Sequence, residues 1–362
     1  MTLRLYNLPL RKLAGVVFGS LLGVATVVAA EEEPGKVLDS FQHSIQTIFS
    51  RCKSAVVKIE AIDRRGPLSG TGFFIDPNGT LYTSYTVGGE SRDIHVTLGR
   101  ERYLARRLVS DMRSGVAILK IEAETPFLPF GSCREMAVAA PVIAIGFPME
   151  LPLTPSFGTV AGFDVKYQER YFATTHLRAN IAVQRGEGGA PVLNSRGEVI
   201  GMLISRLDSG MAAFVLPIEA AEKVRKDFMR FHEVRPGWMG IQIKTLVEPV
   251  AGSTACVESL IPDGPAQKAG LRRDDVLLQV NSLPITSLED LINASFFLSA
   301  EDETIVRISR EGSERDVSVF PVVHPDAVNR SDPNDHPDAE QERLRGLGSA
   351  GAPPAPALKI DR

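Results

Sequence analysis

From Val56 to about Met211 the chain breaks into short β-prone runs, each stopped by glycine, proline, asparagine or aspartate. Examples are TGFFIDPNGTLYTSYTV, IHVTLG, VAILKIEA, PVIAIGF and EVIGMLIS. DPNG and NSRG sit between apolar runs and read as turns. Many short strands with frequent turns suggest a closed barrel or a pair of barrels. The stretch is about 155 residues long, more than one small barrel needs.

Helical patterns flank this region. Residues Val37 to Lys53 place Phe41, Ile45, Ile48, Phe49 and Cys52 at spacings of three and four. A second helix, PIEAAEKVRKDFMRF, is predicted to start at Pro217, whose missing N–H is not needed at the first helical position. Its Ile218, Ala221, Val224, Phe228 and Phe231 make an apolar stripe, and HEVRPG ends it as a connector. Trp238 to about Val323 forms a smaller unit: strands WMGIQI and ACVESLI, a short helix GPAQKAGL closed by Gly270, the run DVLLQVNSLPI, a helix SLEDLINASFFLS with Ser287 as N-cap, and a closing hairpin. From His324 the chain turns rich in Pro, Asp, Gly and Ser, and HPDA occurs twice, at His324 and His336. So little apolar area does not offset the ordering cost, and a disordered tail is expected. Its histidines and aspartates would hold a divalent metal only weakly.

The N-terminus reads as an address. Arg4, Arg11 and Lys12 precede an uncharged run from Leu13 to Ala30, and Val28-Ala29-Ala30 suits cleavage before Glu31. A run of roughly 18 apolar residues can also span a bilayer, so an uncleaved anchor is the alternative. Either outcome puts the remainder outside the cytoplasm. The formal net charge of −4 becomes more negative by the three lost cations. An acidic body argues against a nucleic-acid partner. Cys52, Cys133 and Cys256 are odd in number and lack metal-ligand or redox spacing, so they read as small buried hydrophobes, with a Cys52–Cys133 bridge unsupported.

The order of these elements resembles the HtrA/Deg family of exported trypsin-like serine proteases, over roughly Val37 to Val323. The framing segments are GTGFFIDPNGTLYTSYTVGG, DMRSGVAILKI, AVQRGEGGAPVLNSRGEVIGM and RPGWMGI. The resemblance implies a mainly β chain: a chymotrypsin/trypsin-like double β-barrel followed by a PDZ domain, with a short N-terminal helix and a linker helix. The expected divisions are a signal peptide at 1–30, a helical segment at 31–55, a degenerate protease domain at 56–216, a linker helix at 217–235, a PDZ domain at 236–323 and a tail at 324–362.

Carried over position by position, the family histidine falls on Thr86, the aspartate on Gly115 and the serine on Gly188. A serine triad needs an oxygen that attacks, an imidazole that takes its proton and a carboxylate that orients the imidazole. Glycine has no side chain, and a threonine hydroxyl is no base near neutral pH. No histidine lies between His43 and His95, so no small shift of alignment restores the base. The loop Gly186-Glu187-Gly188 would remain as a vestigial oxyanion loop. A carboxylate at Glu187 would oppose a developing oxyanion if it faced the cleft; the expectation is that it points to solvent. His95 reads as a surface histidine and His176 as a strand residue. No metal motif is present and no cofactor is expected.

For the PDZ module, the resemblance assigns Trp238, Met239, Gly240 and Ile241 to the loop that captures a terminal carboxylate beside an exposed sheet edge. Leu291 and Ser295, one helical turn apart, would face the ligand. The expected partners are unfolded or C-terminal peptide segments, or an active HtrA-type protease. A homotrimer is implied by resemblance, with Phe41 and Phe49 contributing apolar surface. The chain is thus expected to be a pseudoprotease, a chaperone-like scaffold or a regulator. The alternatives are an active endopeptidase with a rearranged site and a membrane-tethered sensor.

Overall fold

The structure, a computed structural model, describes residues 34–323 apart from 169 and 208–210. The expected signal segment and C-terminal tail lie outside the described residues. Among the described residues, those from Ser44 onward form one compact unit. Helix α1 (Pro34–Cys52) ends in a single 3-10 turn at Lys53–Ala55. Ile48 and Cys52 are buried, and Ile45 and Phe49 pack beside them.

Seven strands follow: β1 (Val56–Asp63), β2 (Gly66–Phe74), β3 (Thr80–Ser84), β4 (Arg92–Leu98), β5 (Glu101–Leu104), β6 (Arg106–Asp111) and β7 (Val116–Lys120). They form one antiparallel sheet in the order β5-β4-β1-β2-β3-β7-β6. A short helix, α2 (Tyr85–Gly88), follows β3 directly. The DPNG stretch makes the β2–β3 turn, where the Asp76 carboxylate accepts the N–H groups of Asn78 and Thr80.

A second group is a closed six-stranded barrel: β8 (Pro141–Gly146), β9 (Thr154–Tyr167), β10 (Arg170–Asn180), β11 (Pro191–Leu193), β12 (Val199–Arg206) and β13 (Ala213–Pro217), ordered β10-β13-β12-β11-β8-β9. NSRG turns β11 into β12, with Asn194 Oδ1 accepting from Arg196 and Glu198 N–H. Phe73 and Tyr82 of the first group meet Ile143, Ile145, Met202 and Leu216 of the second in a shared apolar cluster. Helix α3 (Ile218–Phe231) covers that seam with Ile218, Ala221 and Val224. Pro217 is the extended residue that closes β13, with ψ 143, so the helix begins one residue later than its sequence predicts. His232 in the left-handed region, φ 61, ends it.

The third unit holds β14 (Gly237–Trp238), β15 (Ile241–Val250), β16 (Ser253–Leu260), α4 (Pro265–Lys268), β17 (Val276–Val280), β18 (Leu283–Pro284), α5 (Leu288–Phe296), β19 (Thr304–Arg310), β20 (Ser313–Val319) and β21 (Val322–Val323). Its main sheet runs β15-β16-β17-β19-β20, with β18 on β17, and β14 pairs separately with β21. Ser287 caps α5 as expected: its Oγ accepts from Asp290 N–H, and the Asp290 carboxylate accepts from Ser287 N–H. Such reciprocal capping is worth about 1 kcal/mol.

Helix α5 does more than close this module. Asn293 Oδ1 accepts from Thr174 Oγ1 at 2.7 Å and from Thr175 N at 3.0 Å, both on β10. Phe296 is 1% exposed, within the cluster that joins the barrels, and the Arg113 guanidinium lies 4.8 Å from its ring centroid. Ser299 Oγ donates to Asp227 at the end of α3. The three cysteines are buried and unbridged.

Candidate functional site

Three separate segments converge where a trypsin-like site would lie. Strand β3 delivers Thr83 and Ser84, and α2 follows with Thr86. The β6–β7 turn supplies Gly115, whose carbonyl accepts the N–H of Tyr85 at 2.7 Å. The β10–β11 loop supplies Gly186, Glu187 and Gly188. A Cβ on Gly188 would lie 3.2 Å from Ser84 Oγ and 3.8 Å from Thr86 Oγ1. Thr86, Gly115 and Gly188 therefore gather around one cleft.

The loop is held by main-chain ties. Thr71 N–H donates to Gly188 O at 3.0 Å, and Thr71 Oγ1 donates to Gly186 O at 2.8 Å while accepting Phe147 N–H at 3.1 Å. Gly189 has φ +87, and a Cβ there would meet Thr71 O at 2.2 Å, so the fold requires a glycine at that place. Gly188 differs. Its φ is not in the left-handed region, and the tightest neighbour of an added Cβ is a side-chain hydroxyl. Nothing in the packing demands that the nucleophile position be empty.

Gly115 differs again. Its φ is +83, and a Cβ would fall 2.9 Å from Ile204 Cγ2. A carboxylate there needs both a left-handed backbone and a retreat of Ile204. Of the two positions, Gly115 is the more crowded, since an added Cβ there meets Ile204 whereas one on Gly188 meets the Ser84 hydroxyl at 3.2 Å.

The hydroxyl groups in the cleft bond each other. Ser84 Oγ and Thr86 Oγ1 are 2.9 Å apart, and Thr83 Oγ1 donates to Thr71 O at 2.8 Å. Ser84 is fully buried and Thr86 is exposed. Histidines sit elsewhere. His95 is on β4, with Nδ1 2.8 Å from Asp93 O. His176 is a buried β10 residue, its ring tilted against Phe172 with centroids 4.4 Å apart, and burial pushes its pKa down to about 4. His232 ends α3.

Glu187 corrects the sequence expectation. Its side chain is 1% exposed rather than solvated. Oε2 accepts Gln184 N–H at 2.6 Å, Oε1 has no hydrogen-bond partner, and burial raises the carboxyl pKa. Its Cγ packs 3.1 Å from where a Cβ of Gly146 would lie. The pattern of small residues around it, Gly146, Gly186 and Ala190, makes the room; sequence alone offered no sign of the partner Gly146, which is 41 positions away on β8.

The second candidate site is the edge of the third unit. Strand β15 is the end of its sheet, paired with β16 on one side. Met239 is 7% exposed, and its carbonyl accepts from Ala266 N–H. Gly240, φ +74, turns the chain into β15, and its carbonyl accepts from Ile261 N–H. Ile241 packs partly on the same core as Met239 and Leu291, which is 8% exposed. Ser295 Oγ is engaged with Ile292 O at 2.8 Å. Trp238 lines a different recess, beside α4 and the β20–β21 segment. The structure thus brings Met239, Ile241 and Leu291 together and sets Trp238 apart.

Comparison with known proteins matches this architecture. The trypsin-like peptidase domain family matches residues 70–202, and the PDZ domain family matches residues 237–320. A probable periplasmic serine endoprotease, DegP-like, of Chlamydia trachomatis is 28% identical over 272 residues, covering 71% of this chain and 54% of the relative. The similarly described protein of Halomonas elongata is 28% identical over 301 residues, covering 80% of this chain and 60% of the relative. The chain spans little more than half the length of the curated relatives it matches. Among solved structures, an HtrA-type protease, AlgW, with tripeptide superimposes with TM-score 0.66 at 20% identity, covering 78% of this chain and 97% of that one. A serine endoprotease from Yersinia pestis gives TM-score 0.57 at 23% identity over 77% and 98%. A trypsin-like β domain followed by a PDZ domain, with DegP-like relatives along most of its length, is the arrangement of an HtrA/Deg-like protein.

Proposed function

We propose that this chain is an HtrA/Deg-type pseudoprotease. It binds unfolded segments or C-termini of other proteins outside the cytoplasm, as a chaperone-like scaffold or as a regulator of an active relative. The observation that carries this is the composition of the cleft: Gly188 faces Ser84 and Thr86 hydroxyls that bond each other, with no imidazole among the described residues there. A serine protease that loses its serine or histidine alone loses about a million-fold in turnover. That corresponds to roughly 8 kcal/mol of barrier. The occluded place at Gly115 supports the same reading, since a simple reversion does not fit it.

Peptide capture is assigned to β15 and the loop Met239–Ile241. An edge strand offers unpaired main-chain groups to an extended segment, and a turn at Gly240 allows close backbone approach. The peptide-bound state of the AlgW structure and the periplasmic description of the relatives agree with this role and with an extracytoplasmic location. Assembly into a homotrimer belongs to the same proposal.

The test has two arms on the purified full-length protein. A fluorogenic serine-hydrolase probe should give no covalent labelling; labelling would establish an active endopeptidase with a rearranged site. A peptide array with free and amidated C-termini should favour free carboxylates; equal binding would remove carboxylate capture from the proposal.

A further inference from the structure

The recess beside Trp238 lies apart from the expected peptide edge. It measures about 460 Å³ and is lined by Trp238, Ile261, Pro262, Pro265, Phe320 and Val322. That volume falls within the roughly 300–1,000 Å³ typical of ligand pockets. Ile261, Phe320 and Val322 are 37%, 58% and 45% exposed, an unusual amount of large apolar surface for one small unit. Asp263 and Lys268 stand among the lining residues as one charge of each sign. Helix α5 and its Leu291 take no part in the lining. A Cβ on Gly240 would lie 3.2 Å from the Trp238 ring, so the glycine at this turn leaves the aromatic wall its room.

Aromatic residues set beside apolar ones suit a polyproline II segment. Such a segment is already extended, exposes a ridge of rings, and loses little entropy on binding. The chain carries one of its own: Pro353-Pro354-Ala355-Pro356 is a PxxP sequence, followed by Ala357-Leu358-Lys359-Ile360. Val322, on the wall of the recess, is within two residues of where the tail departs at His324. Roughly 30 residues then separate Val323 from Pro353, enough chain to bring Pro353 back to the recess. Lys359 lies one polyproline turn past Pro356, about 9 Å along such a helix. It can therefore meet Asp263 while the prolines lie on the Trp238 and Phe320 rings.

We propose that the Trp238–Phe320 recess is a polyproline-binding groove occupied by this chain's own segment Pro353–Ile360. Tethering supplies an effective concentration on the order of 1 mM, so a contact with an intrinsic dissociation constant of about 0.1 mM is filled to about nine-tenths. A proline-rich segment of another protein would have to compete with the tail, so the groove becomes a gated second docking site on the PDZ unit. None of this depends on whether the barrels hydrolyse anything.

Trp238 is the single tryptophan of the chain, so intrinsic fluorescence of the full-length protein reads the groove directly. Replacing three prolines together, Pro353→Gly, Pro354→Gly and Pro356→Gly, should red-shift the emission and raise its quenching by acrylamide, with the thermal midpoint unchanged. A synthetic peptide of residues 351–360 added to that variant should reverse both changes saturably, with half-effect on the order of 0.1 mM. The same peptide carrying Lys359→Glu should need several-fold more. Asp263→Lys in the otherwise unaltered chain should reproduce the red shift. Identical emission and quenching in the proline variant and the parent protein would overturn the proposal, as would equal reversal by a scrambled peptide. Quenching that varies with protein concentration would assign the groove to a neighbouring copy's tail and overturn occupation in cis.

Discussion

The cleft between the barrels and the edge of the PDZ sheet have met different fates on one chain. In the cleft the frame is intact: Gly189 sits in its required left-handed turn, Thr71 ties the loop at Gly186 and Gly188, and α2 stands opposite. Among the described residues no imidazole stands beside Gly188, and the nearby Ser84 and Thr86 hydroxyls bond each other. At the PDZ edge the proposed peptide site consists largely of main-chain groups and a turn: β15 ends its sheet and Gly240 takes a positive φ. Triad chemistry depends on a few side-chain atoms and is sensitive to single substitutions. Strand addition depends on backbone and is harder to lose.

The contrast breaks most completely if the cleft can be revived by one residue. Gly188→Ser should fold normally, since only the Ser84 hydroxyl crowds its Cβ at 3.2 Å. It should remain unlabelled by a serine-hydrolase probe, about a million-fold below a working protease, because no base stands beside it. Strong labelling would mean that the cleft holds a base by another route.

The junction between the two regions comes next. Phe296→Ala removes a fully buried ring from α5 and should cost about 3–5 kcal/mol, read by chemical denaturation. Because Asn293 also ties α5 to β10, the loss should fall on the barrels and the PDZ unit together, as one transition. Two separated transitions would show that the domains unfold independently.

His176 sharpens the barrel side. Burial lowers its pKa from 6.5 to about 4, so the folded state binds its proton less readily than the unfolded chain does. Its stabilising neutral form is fully effective above pH 6.5 and is lost as pH falls towards 4, on the order of 3 kcal/mol in all. His176→Phe should flatten stability across that window in thermal melts at a series of pH values.

On the PDZ side, Gly240→Val forces a β-branched residue to φ +74 and sets a Cβ 3.2 Å from the Trp238 ring. It should cost about 1–2 kcal/mol and weaken peptide binding roughly tenfold by calorimetry. The smallest effect concerns Glu187. Its raised carboxyl pKa means burial opposes folding once pH exceeds that pKa, while at lower pH the neutral acid carries no such cost. Glu187→Gln should therefore raise the melting temperature at neutral pH, with the gain vanishing as the pH drops below the ordinary carboxylate range. An equal gain at all pH values would mean the buried charge is not its source.

Much of this was legible in one dimension because it rests on local rules. Turn chemistry marked Asp76 and Asn194, which hold their hairpins through their own side chains. Capping marked Ser287. The expectation at Gly188 rests on gap-free flanks on both sides and that at Gly115 on the VAILKI segment, while Thr86 is fixed less tightly, within a stretch that holds no histidine between His43 and His95. Glu187 was misread because its burial depends on Gly146, a residue on another strand whose missing side chain makes the space.

The sequence by itself determined the β architecture, the order of its units and which residues stand at 86, 115 and 188, since periodicity, turns and residue identity are properties of neighbours along the chain. Only the tertiary structure decided that Ile204 occupies the place beside Gly115, that Glu187 is turned inward, that α5 is fastened to β10, and that Trp238 faces a recess of its own. Each of these is set by close packing between segments far apart in the chain, and no local rule carries information about which surfaces will meet.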